Sequence, residues 1–148
     1  MARPLTHLIA SAGIGAILGL RSGRLEPAVT PLVSGFLIDG DHLIDLFRYR
    51  LTGNRIRRQI VLPLHGWEYL PLLYAIERLA GGWFGGGLLA GYLGHLLIDQ
   101  ITNTITHPLT YFLSFRWSKG FATGLFNHPD ESHIHWMQTS ISRLWKFF

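Results

Sequence analysis

The sequence predicts an all-α fold: an up-and-down bundle of about four largely transmembrane helices, followed by an aromatic-rich C-terminal tail. Three observations lead there. Only 15% of the 148 residues are charged while 48% are hydrophobic, against about 25% charged in an ordinary soluble domain. The charges also leave long gaps, since residues 4–20 hold only His7 as an ionisable group and residues 79–98 only His95. A run of about twenty apolar residues spans a hydrocarbon core of roughly 30 Å. Third, many of the 17 glycines fall at small-xxx-small spacing, as in Gly15 and Gly19, Gly82 and Gly86, or Gly87 and Gly91. In a bilayer that spacing lets helix backbones approach closely, whereas in water each glycine costs up to about 1 kcal/mol relative to Ala.

The elements follow from the punctuation. A first helix over 4–21 ends at the Gly and Pro of Arg21–Pro27, and a second over 27–50 ends at Leu51–Arg55. A third over 63–79 stops at Gly81 and Gly82, and a fourth over 83–104 ends before Thr106, His107 and Pro108. These make one membrane-embedded domain over 1–148, with a core at 4–108 and a tail at 109–148 carrying one or two short helices. The tail's end, Ile141 to Phe148, sets Trp145, Phe147 and Phe148 beside Arg143 and Lys146, which suits an interfacial anchor. The first apolar run does not read as a cleaved leader, because Arg21 and Arg24 stand where small cleavage-site residues belong. With the N-terminus inside, Arg3, the Arg48–Arg58 loop and the tail's Arg116, Lys119, Arg143 and Lys146 face the cytoplasm. Arg21, Arg24 and Arg78 then lie outside. That bias places the chain in the cytoplasmic (inner) membrane as a multi-pass protein with both termini inside.

Several classes are excluded. With no cysteine there is no disulfide scaffold, Cys-based zinc finger, iron–sulfur site or thiol nucleophile. The pI of 9.9 does not indicate nucleic acid, because the basic residues flank apolar runs and no basic block is interleaved with aromatics.

Ionisable groups in apolar helices are costly, so their places carry information. They are His7 near the start of helix one; Asp39, Asp41, His42 and Asp45 towards the end of helix two; His65 and Glu68 at the start of helix three; and His95 and Asp99 near the end of helix four. Start, end, start and end fall at one end of an up-and-down bundle. His95 and Asp99 at i,i+4 lie about 40° apart around a helix, and His65 and Glu68 at i,i+3 about 60°. Helices bearing facing Asp, Glu and His are a known way to hold two metal ions. Each group also has an ordinary role: His7 as a bonded interior residue, Asp39 or Asp41 as a helix cap, Glu68 as a charge favoured at a helix N-terminus, Asp99 as a partner for Arg. In a second polar set, His128, Asp130, Glu131, His133 and His135, the His133-x-His135 pair can chelate a metal in an irregular segment, but the preferred reading is a solvated loop.

Together Asp39-Gly40-Asp41-His42, then His65, then Gly94-His95 and Asp99 resemble the membrane-bound metal-dependent hydrolase family, called YdjM-like or domain of unknown function 457. Its pattern is an early His, a D-x-D-H motif, an H-R-G-x-T-H type motif, and H-x-x-x-D with a Pro following. His7, Asp39, Asp41, His42, His65, His95, Asp99 and Pro108 align with that pattern over about residues 5–118. The chain departs from it at His65-Gly66-Trp67-Glu68, which lacks the Arg and the second His. The resemblance implies a bound divalent metal and hydrolysis. A looser similarity in ligand type, to zinc-dependent phospholipase C, points to phosphoester chemistry.

The expectation is therefore a cytoplasm-facing hydrolase with one to three divalent ions, Zn or Mn first among those that suit mixed imidazole and carboxylate. Its ligands would be His7, Asp41, His42, His65, His95 and Asp99. Asp39 would act as a bridging or orienting carboxylate and Glu68 as general base, with Arg48 or Arg116 as a phosphate clamp. Its partners would be membrane lipid and a small or lipid-linked substrate. The alternatives are a non-catalytic metal-transport or metal-sensing site, or a helical protein, soluble or peripheral, with a structural metal cluster.

Overall fold

The computed structural model describes residues 4–52, 59–103 and 105–126. Its six helices are α1 (Pro4–Ser22), α2 (Leu25–Phe36), α3 (His42–Thr52), α4 (Tyr69–Leu79), α5 (Gly87–Thr102) and α6 (Leu113–Ser118). Short 3₁₀ turns cover Leu37–Asp41, Pro108–Tyr111 and Thr123–Leu125. No strand occurs among the described residues, which hold only two isolated bridges, Gln59 to Ala122 and Ile105 to Phe126. The all-α class is thus correct. The set His128–His135, the anchor Ile141–Phe148 and Arg55, Arg57 and Arg58 lie outside the described residues.

α1, α2 and α5 pack mutually, and α4 lies against α5. Small residues make this possible. The inward face of α1 is His7, Ser11 and Gly15; that of α2 is Pro27, Pro31 and Gly35; that of α5 includes Gly87, Gly91, His95 and Asp99. A methyl group on Gly35 would lie 2.4 Å from the Ser11 hydroxyl and 2.6 Å from the Gly91 carbonyl. A side chain there would drive the three helices apart, and with them the carbonyl that receives His95.

Three expected elements differ. Helix two is not continuous over 27–50: the backbone tightens into the 3₁₀ turn Leu37–Asp41 before α3 begins. At about three residues per turn this stacks Asp39 over His42, and the pair meets at 3.6 Å. Helix three begins at Tyr69 rather than 63. Asp45 accepts from the backbone N–H groups of Val61 and Leu62, and Asp41 from that of Leu64, so the segment is held as a loop. The run 79–98 is split by Gly81, Gly82, Gly85 and Gly86, all with positive φ, and α5 is 16 residues long. Among the described residues only α1, with 19 residues, is long and apolar enough to cross a membrane.

The interior is inverted relative to a water-soluble bundle. The buried apolar cluster is small: Ile38, Ile60, Leu62, Tyr92, Leu96, Tyr111 and Phe126, gathered at the end where α5 finishes. Elsewhere the inward faces carry glycine, proline, serine and ionisable groups. Large apolar side chains point outward instead, including Ile9, Ile17 and Leu20 on α1, Leu25 and Val33 on α2, and Leu79 on α4.

Candidate metal centre

Four separate stretches of chain deliver the cluster. α1 brings His7 from its first turn, the 3₁₀ turn brings Asp39, the loop before α4 brings His65, and α5 brings His95 and Asp99. His7 Nε2 lies 3.2 Å from Asp99 Oδ1. The other Asp99 oxygen is 3.5 Å from both His65 Nε2 and His95 Nε2. Asp39 Oδ1 stands 3.5 Å from His65 Nε2 and 3.6 Å from His95 Nε2 and His42 Nε2. His7 and His95 stack with ring centroids 3.9 Å apart. Three overlapping groups have the spacing to hold a metal ion: His7, His95 and Asp99; Asp39, His65 and His95; and Asp41, His42 and His65.

The histidine tautomers follow from their outer partners. His95 Nδ1 is 2.7 Å from the Gly35 carbonyl, which can only accept, so that nitrogen carries the hydrogen. His65 Nδ1 is 2.9 Å from Asp41 Oδ2 and donates to it likewise. Both Nε2 atoms therefore turn lone pairs towards the centre, and they face each other at 2.9 Å. Two lone pairs at that distance repel unless a cation, either a proton or a metal, sits between them or beside them. Buried His7 Nδ1 and Asp41 Oδ1 add two polar atoms with no hydrogen-bond partner. The donor set, imidazole nitrogen with carboxylate and no sulfur, fits a divalent Zn, Mn or Fe ion. An imidazole whose second nitrogen donates to a carboxylate or backbone carbonyl is the usual second layer of such sites.

Electrostatics agree with this arrangement. Burial opposes charge on Asp39, but its bonds to His42 and His65 outweigh that and hold the carboxyl well below its ordinary value. Burial also opposes charge on His65. The Asp39 and Asp41 carboxylates prevail, raising the imidazole to about 9, so without a metal a proton occupies the place between the rings.

Of the residues expected at the site, His7, Asp39, His42, His65, His95 and Asp99 come together, and Asp41 stands behind His65 as its orienting acceptor. Glu68 does not join them. Its carboxylate accepts from the backbone N–H groups of Leu113 and Ser114 and from the Ser114 hydroxyl, at 2.7–3.0 Å. Burial works against the charge, but these bonds prevail and hold Glu68 below its ordinary value. It caps α6 and is not placed as a general base. Arg116 is likewise no phosphate clamp: it is fully buried, and its guanidinium donates to the carbonyls of Val61, Leu62 and His65. Arg48 reaches Asp45 and Gln59.

Two further residues border the site. A cavity of about 20 Å³, room for about one water, is lined by His7, Asp39, His42 and Asp99 together with Asn103 and Tyr111. Asn103 continues the i,i+4 series His95, Asp99 along α5, a signal present in the sequence. Tyr111 arrives through the 3₁₀ turn after Pro108 and has no such signal. Its ring lies 6.5 Å from His65, and its oxygen accepts from the Asn103 amide.

No protein-family model, curated protein or solved structure matches the chain.

Proposed function

We propose that this chain is a membrane-embedded, divalent-metal-dependent hydrolase acting on a phosphoester or lipid-linked substrate, akin to the membrane-bound metal-dependent hydrolase family that its motifs resemble. The observation that carries the reading is the pair of Nε2 atoms facing each other at 2.9 Å, ringed by Asp39, Asp99 and His7 with both outer nitrogens fixed. A divalent cation in such a site supplies an acidified water and neutralises negative charge as it develops. The chain's own residues do the rest. His7, His65, His95 and Asp99 hold the ion, with His42 and Asp39 closing the open side. Asp41 and the Gly35 carbonyl fix the rings. Asp39, with a side chain 20% exposed, against 7% for Asp99 and 0% for Asp41, is the cluster carboxylate nearest to solvent.

The outward apolar faces of α1, α2 and α4 support a lipid environment, because contiguous apolar surface of that extent is rare on soluble monomers. The Arg distribution supports a cytoplasmic position for the site end. A transport role finds less support, since the described interior beyond the cluster is lined by Ser11, Gly15, Pro27, Pro31 and Gly91, with no ionisable relay. A purely structural metal fits poorly with a water-sized cavity at its edge.

Elemental mass spectrometry on detergent-purified protein tests the reading, comparing wild type with His42→Ala and His95→Ala. Stoichiometric metal in the wild type, lost in folded variants, is the expected result. A metal-free wild type that cannot be reloaded with Zn or Mn would sink it.

A further inference from the structure

α3 suits neither of the two environments open to an ordinary helix. Its 11 residues, His42–Thr52, rise only about 16 Å, half of a hydrocarbon core of roughly 30 Å, so it cannot cross a bilayer. Asp45 and Arg48 within it make a place in hydrocarbon costlier still. Yet Leu43, Ile44, Phe47 and Leu51 are between 45% and 77% exposed. At about 100° per residue these four fill one continuous arc of about 100°, an apolar stripe that water disfavours. The helix cannot roll to hide it. Leu46 is buried on the opposite side, and the Asp45 oxygens accept from the backbone N–H groups of Val61 and Leu62. Arg48 borders the stripe and reaches back to Asp45 and Gln59. The charge along the sequence is one-sided as well: residues 46–67 include Arg48, Arg50, Arg55, Arg57 and Arg58 but no Asp or Glu. A helix with an apolar stripe and a cationic border lies flat at the headgroup level, and a run of Arg beside it selects anionic headgroups.

We propose that α3 lies in the plane of the membrane surface, with Leu43, Ile44, Phe47 and Leu51 seated among acyl chains and Arg48 at the headgroups of anionic lipid. The partner is a negatively charged phospholipid surface. The 3₁₀ turn Leu37–Asp41 is then the place where the chain turns to run along that surface. Because α3 begins at His42 and carries Asp45, which ties down the segment leading to His65, the lipid holds the helix on which one side of the cluster is built. The proposal takes its lipid environment from the reading above and needs neither the metal nor the reaction.

The chain has no cysteine, so single sites can be labelled cleanly. Leu43→Cys, Phe47→Cys and Leu51→Cys each carry a fluorophore in the full chain, reconstituted in vesicles of phosphatidylcholine alone or mixed with phosphatidylglycerol. Depth is read with lipids that quench at the headgroup or at mid-chain. Ile17→Cys on α1 reports whether the chain is in the bilayer at all. The expected result is one shared, shallow depth for the three α3 labels in the mixed vesicles. Arg48→Gln should lower the ratio of seated to unseated helix about fivefold there and leave it unchanged in phosphatidylcholine. Depths that increase by about 6 Å from residue 43 to 47, and again to 51, overturn the proposal in favour of a transmembrane segment. Unquenched α3 labels beside a quenched Ile17 label overturn it in favour of water or a protein partner. Equal seating in both vesicle types overturns it too, as does a ratio that Arg48→Gln does not move. An unquenched Ile17 label overturns the membrane reading instead. Should a labelled variant not fold, the wild type in detergent micelles supplies a second readout. Added phosphatidylglycerol should raise its unfolding temperature and phosphatidylcholine should not, and equal or absent shifts overturn the proposal.

Discussion

Metal uptake by this chain should compete with a single proton, and the competition has a calculable slope. His65 lies in the loop before α4, and its carboxylate neighbours raise it from 6.5 to about 9 in the metal-free protein. A cation that takes the His65 Nε2 lone pair must displace that proton. Well below pH 9 each unit of acidity should therefore cost about tenfold in apparent affinity, so Mn²⁺ should bind roughly fiftyfold more weakly at pH 7 than at pH 9, where half the His65 side chains have already lost the proton. Calorimetry at pH 7 in two buffers of different ionisation enthalpy should show about one proton released per ion bound. The sign for stability is opposite in the metal-free protein. A group whose value is raised by folding stabilises most below 6.5, and that contribution is lost as pH rises through about 9. From this group alone the loss is about 3 kcal/mol. Asp41→Asn removes the carboxylate that His65 donates to, and should bring the start of the affinity plateau to lower pH. An affinity that is flat between pH 7 and 9, with no proton released, would refute the placement of a cation between the two rings.

Three other outcomes follow from packing and capping. Gly91→Ala puts a methyl group 2.6 Å from the Cα and carbonyl oxygen of Pro31. The backbone of α2 cannot yield cheaply there, so thermal unfolding in detergent should show a loss of about 1–3 kcal/mol, with lower metal content because His95 sits one turn further along α5. Glu68→Gln should leave bound metal at the wild-type level and cost only about 0.5–1 kcal/mol through a weaker cap on α6; a metal-free Glu68→Gln protein would restore that residue to the site. Ile17→Arg separates the two environments for α1. At this 54% exposed position the change costs within about 0.5 kcal/mol in water but up to about 3 kcal/mol in hydrocarbon. The fraction recovered in membranes should fall sharply, and an unchanged fraction with normal stability would argue for a water-facing α1.

The helical class and the gathering of the ligands were legible because each rests on a local rule. Apolar runs broken by Gly and Pro locate helices, and His7, Asp39, His65, His95 and Asp99 fall alternately at starts and ends, which any antiparallel packing brings to one side. Helix boundaries near the site were not legible, because side chains distant in sequence set them. Asp41 and Asp45 bind backbone groups 16–23 positions later and turn an expected helical stretch into loop. The placement of Glu68 depends on distant partners in the same way. Its spacing from His65 suits a helix turn, but the residues between them are not helical and its partners, Leu113 and Ser114, are over forty positions away. Nothing near Tyr111 in the chain marks it, since the contact with Asn103 depends on the 3₁₀ turn that follows Pro108.

Arg116 gives the molecule an order of completion. The carbonyls of Val61, Leu62 and His65 converge on its guanidinium, and Leu62 sits there with a left-handed φ of 40°, a conformation a branched residue holds only under restraint. Every ligand candidate precedes residue 116, and the loop that carries His65, already tied to Asp45 and Asp41 through the N–H groups of Val61, Leu62 and Leu64, gains a further anchor when α6 docks. During synthesis the chain thus passes through a stage in which all the donors exist but the His65 loop is held only from the side of Asp41 and Asp45. The tightest capture of a cation then waits on α6, and a nascent chain stalled before it would hold metal more weakly.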